Sequence, residues 1–407
     1  MKLKLTLSIL LVTLLTACGA IWQVNPQPSN PVGPSATPAI VTATAVPPTV
    51  TPVVIPPSET PVVPTNTPLV SLPVPNPQFK TFHMTDALNG WAISETSILH
   101  TADGGLTWYN VTPAVLTTSG FSAQAYFGSA TLGWVTVPSA DFLTSTLYRT
   151  TDGGLTWTSI PLPFNAGMMQ FRDASNGVML VALGAGAGSE AVAVYKTADG
   201  GATWTQVYTN DPNLPGAGTS LPLAGMKLGI TFLDDSRGWV SGAEPAPSFF
   251  YLYTTQDGGA TWAQQSPPLP PGFETAMTEV RPPVFFTAQD GVLPVRLLAE
   301  PVSDVYYVTH DAGLTWTATF PLNGDAQFSM ASLLDVYLWN GGANLYVSHN
   351  TGLSWDTVAT NVNGTEALAS YQFTDVANGW MLTSDATGHT TFYRTTDGGA
   401  TWIIIIP

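Results

Sequence analysis

From residue 79 onward the chain alternates short apolar runs with clusters of turn residues, and the pattern keeps returning. In one unit, Phe82-His83-Met84 is followed by polar Thr85-Asp86-Ala87-Leu88-Asn89. Then come Gly90-Trp91, the apolar run Ile98-Leu99, the segment 101–108 and Tyr109-Asn110-Val111. Short runs of this kind, bounded by Gly, Asp and Asn, read as strands, four to a unit. The Asp-x-x-x-Gly-Trp stretch makes the first turn. It recurs as 234–239 and 375–380, without the Asp at Gly133-Trp134, and in weaker form as 173–178 and 290–292. The pattern predicts an all-β chain with almost no helix.

The segment between the third and fourth strands repeats most closely: Thr-x-Asp-Gly-Gly-x-Thr-Trp appears seven times, at 101–108, 150–157, 197–204, 255–262, 309–316, 348–355 and 395–402. Successive spacings are 49, 47, 58, 54, 39 and 47 residues, the size of one propeller blade or solenoid turn. The acidic position holds Asp103, Asp152, Asp199, Asp257, Asp311, Asn350 and Asp397, and each box ends in Trp108, Trp157, Trp204, Trp262, Trp316, Trp355 or Trp402. Asp-Gly-Gly between strands is a hairpin signal, because glycine tolerates the positive φ of a tight reversal. The Asp accepts hydrogen bonds from its own turn, and the Trp anchors each unit on its neighbour. Copies five and six put Ala312 and Thr351 in place of the first Gly. Four more Trp follow the first-turn Gly, and Trp339 lies near that position in unit six. A calcium role is disfavoured: each box supplies one carboxylate, calcium takes roughly 6–8 oxygen ligands, and Asn350 keeps the acceptor without the charge.

These boxes resemble Asp-box, or BNR, repeats of the sialidase and sortilin-type propellers. With the added first-turn segment they are most similar to the photosystem II stability/assembly factor-like family. The resemblance covers residues 79–407 and implies one seven-bladed propeller of four-stranded antiparallel blades, about 47 residues each. It is specific for fold and unspecific for activity, since propellers host binders and hydrolases alike. No photosystem role is carried over. The ring closes either by packing of the last blade on the first or by a strand from 69–79, and both routes stay open.

Ahead of the ring, Lys2 and Lys4 precede an apolar core over 5–15, too short to span a bilayer. It runs into Leu15-Thr16-Ala17-Cys18, which resembles a bacterial lipoprotein box. The reading is a signal peptide over 1–17, a lipid on Cys18 and an extracytoplasmic location. Cys18 is the one cysteine, so an intramolecular disulfide and a cysteine nucleophile elsewhere are excluded. Residues 24–77 hold 16 Pro and a single charge, Glu59. Such a segment favours extended polyproline II, with a reach on the order of 150 Å. Residues 18–78 are thus expected to be an anchor and stalk.

From Phe79 onward 26 Asp and Glu face 9 Lys and Arg. That acidity argues against a nucleic acid or an anionic membrane surface as ligand, leaving the lipid on Cys18 as the membrane contact. The first-turn and box hairpins would share one face of the ring. The second face collects the loops of varied length: 184–190, 209–225, 242–248, 267–283, 300–304 and 385–389. Long loops on a rigid scaffold are where binding tends to sit, and Glu244, Phe249, Phe250, Phe273, Glu274, Glu279 and Arg281 are the candidate contacts. Gly184-Ala185-Gly186-Ala187-Gly188 reads as a flexible loop between two strands.

A sialidase needs three converging arginines. Arg149 and Arg394 share one repeat slot with Lys196, and Arg172 and Arg237 fall in first turns. That leaves Arg281 and Arg296 for the opposite face. A carboxylate-pair glycosidase needs two carboxyls roughly 5–9 Å apart, and Glu244, Glu274, Glu279 and Glu300 are available for one. His83, His100, His310, His349 and His389 show no metal-ligand spacing. The expectation is a non-enzymatic binding or assembly module for an envelope protein or a glycan, without cofactor or metal. A glycoside hydrolase is the alternative.

Overall fold

The computed structural model describes residues 72–116, 123–362 and 366–406. Cys18, the leader and the linker up to residue 71 lie outside them. The described residues contain no α-helix and form 30 strands, all paired antiparallel within the sheets.

Five sheets have four strands in sequential order, spanning 81–110, 124–162, 168–209, 327–359 and 367–406. In the first, Thr81–Met84, Gly90–Ile93, Ile98–Thr101 and Tyr109–Asn110 follow one another across the sheet. The register explains the glycine before the first-turn Trp. The last residue of the first strand faces it directly, as in Phe171↔Gly177. A Cβ on Gly177 would stand 2.5 Å from the Phe171 ring, which no side chain tolerates.

The sixth sheet has ten strands and holds repeats four and five. Met226–Phe232, Gly238–Ala243, Leu252–Thr255 and Ala263–Gln264 make one run. In the other, Met277–Val280 and Val284–Phe285 both pair with Gly291–Leu298, which pairs with Ser303–Thr309. The break between the first two falls at Pro282 and Pro283, which have no N–H to donate to a ladder. One residue pair, Ala243↔Glu279, joins the two runs. The seven repeats therefore fold into six sheets, not seven separate ones.

Consecutive repeats pack face to face. The first-turn aromatic of one packs on the last first-strand residue of the next: Trp91 (4.6 Å), Trp134 (3.9 Å) and Tyr337 (4.1 Å) stack on Phe127, Phe171 and Phe373, and Trp239 lies tilted on Phe285 (4.9 Å). Tyr337, paired with Ser329, holds the Trp slot of repeat six. Trp339 lies two residues on, packing against Tyr371 and Trp402.

The last repeat packs on the first. Trp380 donates its indole N–H to Gly104 O at 2.8 Å. Gln372 accepts from Met84 N and donates to Met84 O, both at 2.8 Å. Trp380, Leu382, Phe392 and Ile406 share a core cluster with Phe79, Phe82 and Trp108. Among the described residues the ring closes by packing. The preceding segment lies against the outer strand of repeat one, with Pro73 bridging Tyr109 and Val74 N donating to Trp108 O.

The stretch read as a flexible glycine loop is mostly strand. Gly177–Gly186 and Ser189–Thr197 pair out to Gly186↔Ser189, and only Ala187 and Gly188 make the turn. A Cβ added at Gly184, Gly186 or Gly188 would meet nothing within 4 Å, so this end of the hairpin has open space beside it, while Gly188 O accepts the Gly225 N–H at 2.8 Å.

Candidate functional site

The box hairpin and the first turn lie at the same end of every repeat. A backbone N–H of the box reaches a first-turn carbonyl each time, from Gly104 N to Leu88 O through Gly398 N to Ala377 O. Within the box, the first Thr hydroxyl donates to Asp Oδ1 and accepts from the second Gly N–H, as Thr150 does with Asp152 and Gly154. The same Oδ1 accepts the N–H of the second Thr, or of Ser354 in copy six, at 2.8–2.9 Å in all seven copies. In four copies the second Thr hydroxyl takes Oδ2 at 2.6 Å. Asn350 keeps the pattern with reversed polarity, its Nδ2 donating to Ser354 Oγ at 2.8 Å.

Burial opposes ionisation of Asp103, Asp152, Asp257 and Asp311. Hydrogen bonds from the threonines and turn amides outweigh it and hold these carboxyls below their usual range, Asp311 at about 2. At Asp199 and Asp397 those bonds are themselves the leading cause. The box oxygens are thus used inside their own turns. Four box indoles are bonded within the ring: Trp108 and Trp204 donate to their own second glycine, Trp157 to Val111 O and Trp355 to Phe320 O, whereas the indole N–H groups of Trp262, Trp316 and Trp402 are buried without a partner.

At the second face the seven candidate contacts separate. Phe250 is 2 % exposed, in the core edge-on to Tyr307. Phe273 is half-buried against the same cluster, and Phe249 is half-buried beside Tyr251. Glu274 is exposed and accepts from Gly272 N. Glu244 is half-buried, but its Oε2 is enclosed. The structure brings Glu279 and Arg281 together at 3.6 Å. Glu279 faces Arg296 across the ladder, and Arg296 pairs with Asp304 (3.0 Å) and Asp325 (2.8 Å). Asp304 is fully buried, and burial pushes its carboxyl up to about 6 against the pull of Arg296.

Sequence reading missed a second charged group on this face. Lys227, 4 % exposed, donates Nζ to the carbonyls of Glu190 (2.8 Å), Leu223 (3.0 Å), Ala224 (3.3 Å) and Gly225 (2.9 Å). Its N–H binds Glu190 Oε2. Burial pushes Lys227 down to about 8, against the attraction of Glu190 and Glu244. The arrangement ties the 209–225 loop to the hairpin that carries Glu190. The available signal was a lysine on the inward register of a strand.

The box face also has a cavity of about 360 Å³ between repeats three and four, lined by Val178, Phe232, Gln170, Lys196, Arg172 and Asp235 among others. Lys196 Nζ lies 4.8 Å over the Phe232 ring and donates to Asp235 O at 2.6 Å. Arg172 pairs with the Asp235 carboxylate.

A closed sequence of antiparallel, mostly four-stranded sheets, each stacked on the next, defines a β-propeller. No protein-family profile matches the chain, and no curated protein matches it in sequence. Solved structures do. YCF48 bound to a D1 peptide aligns with a TM-score of 0.52 at 18% identity, over 80% of this chain and 95% of that one. The GH74 xyloglucanase from Xanthomonas campestris gives 0.53 at 13% identity over 83% of this chain, which spans only 55% of the enzyme. An oligogalacturonate lyase from Vibrio parahaemolyticus gives 0.51 at 10%, over 81% and 92%. At these identities the likeness is one of fold.

Proposed function

We propose that this chain is a lipid-anchored, extracytoplasmic propeller that binds a protein segment without turning it over, as a capture or assembly module of the cell envelope. In this reading residues 1–17 are a signal peptide, Cys18 carries the lipid and residues 18–78 are anchor and stalk. Residues 79–407 are a seven-bladed ring of Asp-box repeats, the ten-stranded sheet counting as two blades joined at Ala243↔Glu279. The observation that carries the binding role is the second face. Its unequal loops are held on a rigid frame, with the Glu190–Lys227 group fixing one and the Arg296–Asp304 pair another. A fixed platform lowers the ordering entropy lost on binding. YCF48, a neighbour in fold, holds a peptide, which supports a protein segment as the ligand class. A glycan is the other outcome.

The test is cross-linking of the full lipoprotein in cells, followed by capture and mass spectrometry, against a variant lacking 267–275, the part of the loop ahead of the Met277–Val280 strand. One or two envelope proteins that disappear in the variant support the reading. Capture that survives deletion of every second-face loop sinks the face assignment. Glycoside turnover lost on Glu274→Gln or Glu279→Gln would establish the hydrolase instead.

A further inference from the structure

Repeat six departs from the others around its box. The first-turn carbonyl that its box N–H reaches belongs to Leu334, bonded from Thr351 N at 3.0 Å. Leu353 stands at the sixth box position. Phe320, on the connection after repeat five, lays its backbone on the same hairpin. Its N–H donates to Gly352 O at 3.3 Å, and its carbonyl accepts the Trp355 indole N–H at 3.4 Å. Phe320, Leu334 and Leu353 are 65, 54 and 58 % exposed. In five repeats the place of Leu334 holds Thr, Ser, Gln or Ala. Repeat one has Leu88 and Leu106, but Ile406, 4 % exposed, takes the place of Phe320 there. Three large apolar side chains therefore meet water at one box hairpin only.

The charge pattern changes at the same hairpin. Its box carries Asn350 instead of aspartate, so covering it buries no box carboxylate, which would be costly to desolvate. Asp356, next to Trp355, is exposed and has no hydrogen bond or ion pair among the described residues. The residue after the box Trp is Tyr, Thr, Ala or Ile in the other repeats. No Lys or Arg occurs between Arg296 and Arg394. His310 and His349 are each held by an aspartate, Asp290 and Asp335.

We propose that the box-six hairpin is a docking site for a short segment of a partner protein that carries two large apolar side chains beside a lysine or arginine. The apolar side chains cover Phe320, Leu334 and Leu353, with the aromatic ring as anchor, and the cation meets Asp356. The exposed apolar surface is on the order of 300 Å², the lower edge of the largest, often functional, patch on a typical monomer. It falls well short of the roughly 800 Å² per partner that two folded surfaces bury in a stable complex, which favours a short segment over a second copy. Charge points the same way. The chain carries −16, and two such faces would meet with Asp356 on both sides and no lysine or arginine to offset it. An anionic membrane surface is disfavoured for the same reason. The hairpin is at the opposite end of the ring from the loop face, so the inference does not rest on the reading above.

The experiment is fluorescence anisotropy of the full-length protein with labelled peptides of one frame, Lys-Leu-Phe-Lys-Leu-Lys blocked at both ends, and its all-Gln and all-Glu replacements of Lys. Wild type is expected to bind the Lys peptide with a dissociation constant on the order of 100 μM. The Gln peptide should bind about threefold more weakly and the Glu peptide more weakly still. Phe320→Ser and Leu353→Ser change exposed side chains, so melting should hold, and each should weaken both the Lys and the Gln peptide about fivefold. Leu155→Ser, at an exposed box leucine of repeat two, should change neither. Asp356→Asn should weaken the Lys peptide about threefold and leave the Gln peptide unchanged, a split that diffuse attraction to an acidic chain would not give. Peptide binding indifferent to Phe320→Ser and Leu353→Ser, equal loss in Leu155→Ser, or no binding at millimolar protein would overturn the proposal. So would sedimentation with phosphatidylcholine vesicles that Phe320→Ser abolishes while no peptide binds, which would make the hairpin a membrane contact.

Discussion

The joint between the last and first repeats is held by a side chain imitating a backbone. Gln372 meets both polar groups of Met84, accepting its N–H and donating to its carbonyl at 2.8 Å each. Met84 is 1 % exposed and ends its strand, so no further residue of that strand satisfies these groups. In Gln372→Ala one donor and one acceptor lose their partners together. An orphaned buried group costs about 1–3 kcal/mol. The site is part-buried, so about 2–3 kcal/mol for the pair is the working value. At about 2.1 cal/mol/K of unfolding entropy per residue, a domain of this length should melt roughly 3 °C lower.

Gln170 makes the same clasp on Phe232 between repeats three and four, with one good bond at 2.7 Å and one long bond at 3.5 Å. Gln170→Ala should therefore cost about half as much. Gln372→Glu is the sharper probe. Its carboxylate accepts from Met84 N–H but sets a second oxygen against Met84 O, so at neutral pH it should be at least as damaging as alanine. As pH falls the carboxyl protonates and becomes a donor again, and the deficit should narrow. Urea unfolding at pH 7 and pH 4.5 reads all of these. A Gln372→Ala protein within about 0.5 kcal/mol of wild type at unchanged m-value, or a Gln372→Glu deficit indifferent to pH, would refute the reasoning.

Ala312 sits at φ +61° where five of the boxes have glycine. Ala312→Gly relieves about 1–2 kcal/mol of left-handed strain and loses about 0.4–1 through the unfolded chain, so urea unfolding should show a gain of roughly 0.5–1 kcal/mol. Thr351 has the same φ but donates Oγ1 to Leu333 O at 2.8 Å; its glycine variant gives up about 1 kcal/mol of hydrogen bond and should gain nothing. The six box aspartates have folded pKa values below their usual 3.8. Their stabilisation is complete above that value and is lost as pH falls toward about 2, so circular dichroism should show cooperative acid unfolding in that window; persistence of the native spectrum at pH 2 would contradict it. Lys227→Met strips four carbonyls and Glu190 of their buried cation and should cost about 2–4 kcal/mol, seen first as faster proteolysis within 209–225.

The repeat was legible because each of its parts has a local cause. Asp-Gly-Gly specifies a hairpin whatever surrounds it, and the glycine before Trp91 or Trp380 is demanded by the residue opposite it in the register. Relations between repeats were not legible, because the residues that make them look ordinary in sequence. Gln170 and Gln372 read as polar positions of an alternating strand. Lys227 reads as a charged interruption of an apolar run. The merging of repeats four and five depends on the backbone of Ala243 meeting Glu279, which no side-chain pattern announces. The glycines of 184–188 mislead in the other direction: small residues are compatible with a loop, and ladder pairing with Ser189–Thr197 carries them as strand.

The candidate site divides along the same line. The acidic boxes are the most visible feature of the chain, and their oxygens are occupied within each turn, so visibility there reports architecture. In a ring whose repeats solve one packing problem seven times, the informative positions are those that decline the common solution. Val178 and Lys196 do so together, as register partners on neighbouring strands of repeat three, and Val178 and Phe232 are still buried in one apolar cluster. Val292 declines it as well, but Met330 and Leu333 fill in behind it. Repeats two and seven put Trp and Arg in these slots, whereas repeat three closes the same interface with smaller apolar side chains and the Lys196 ammonium 4.8 Å over Phe232, which stays 3 % exposed.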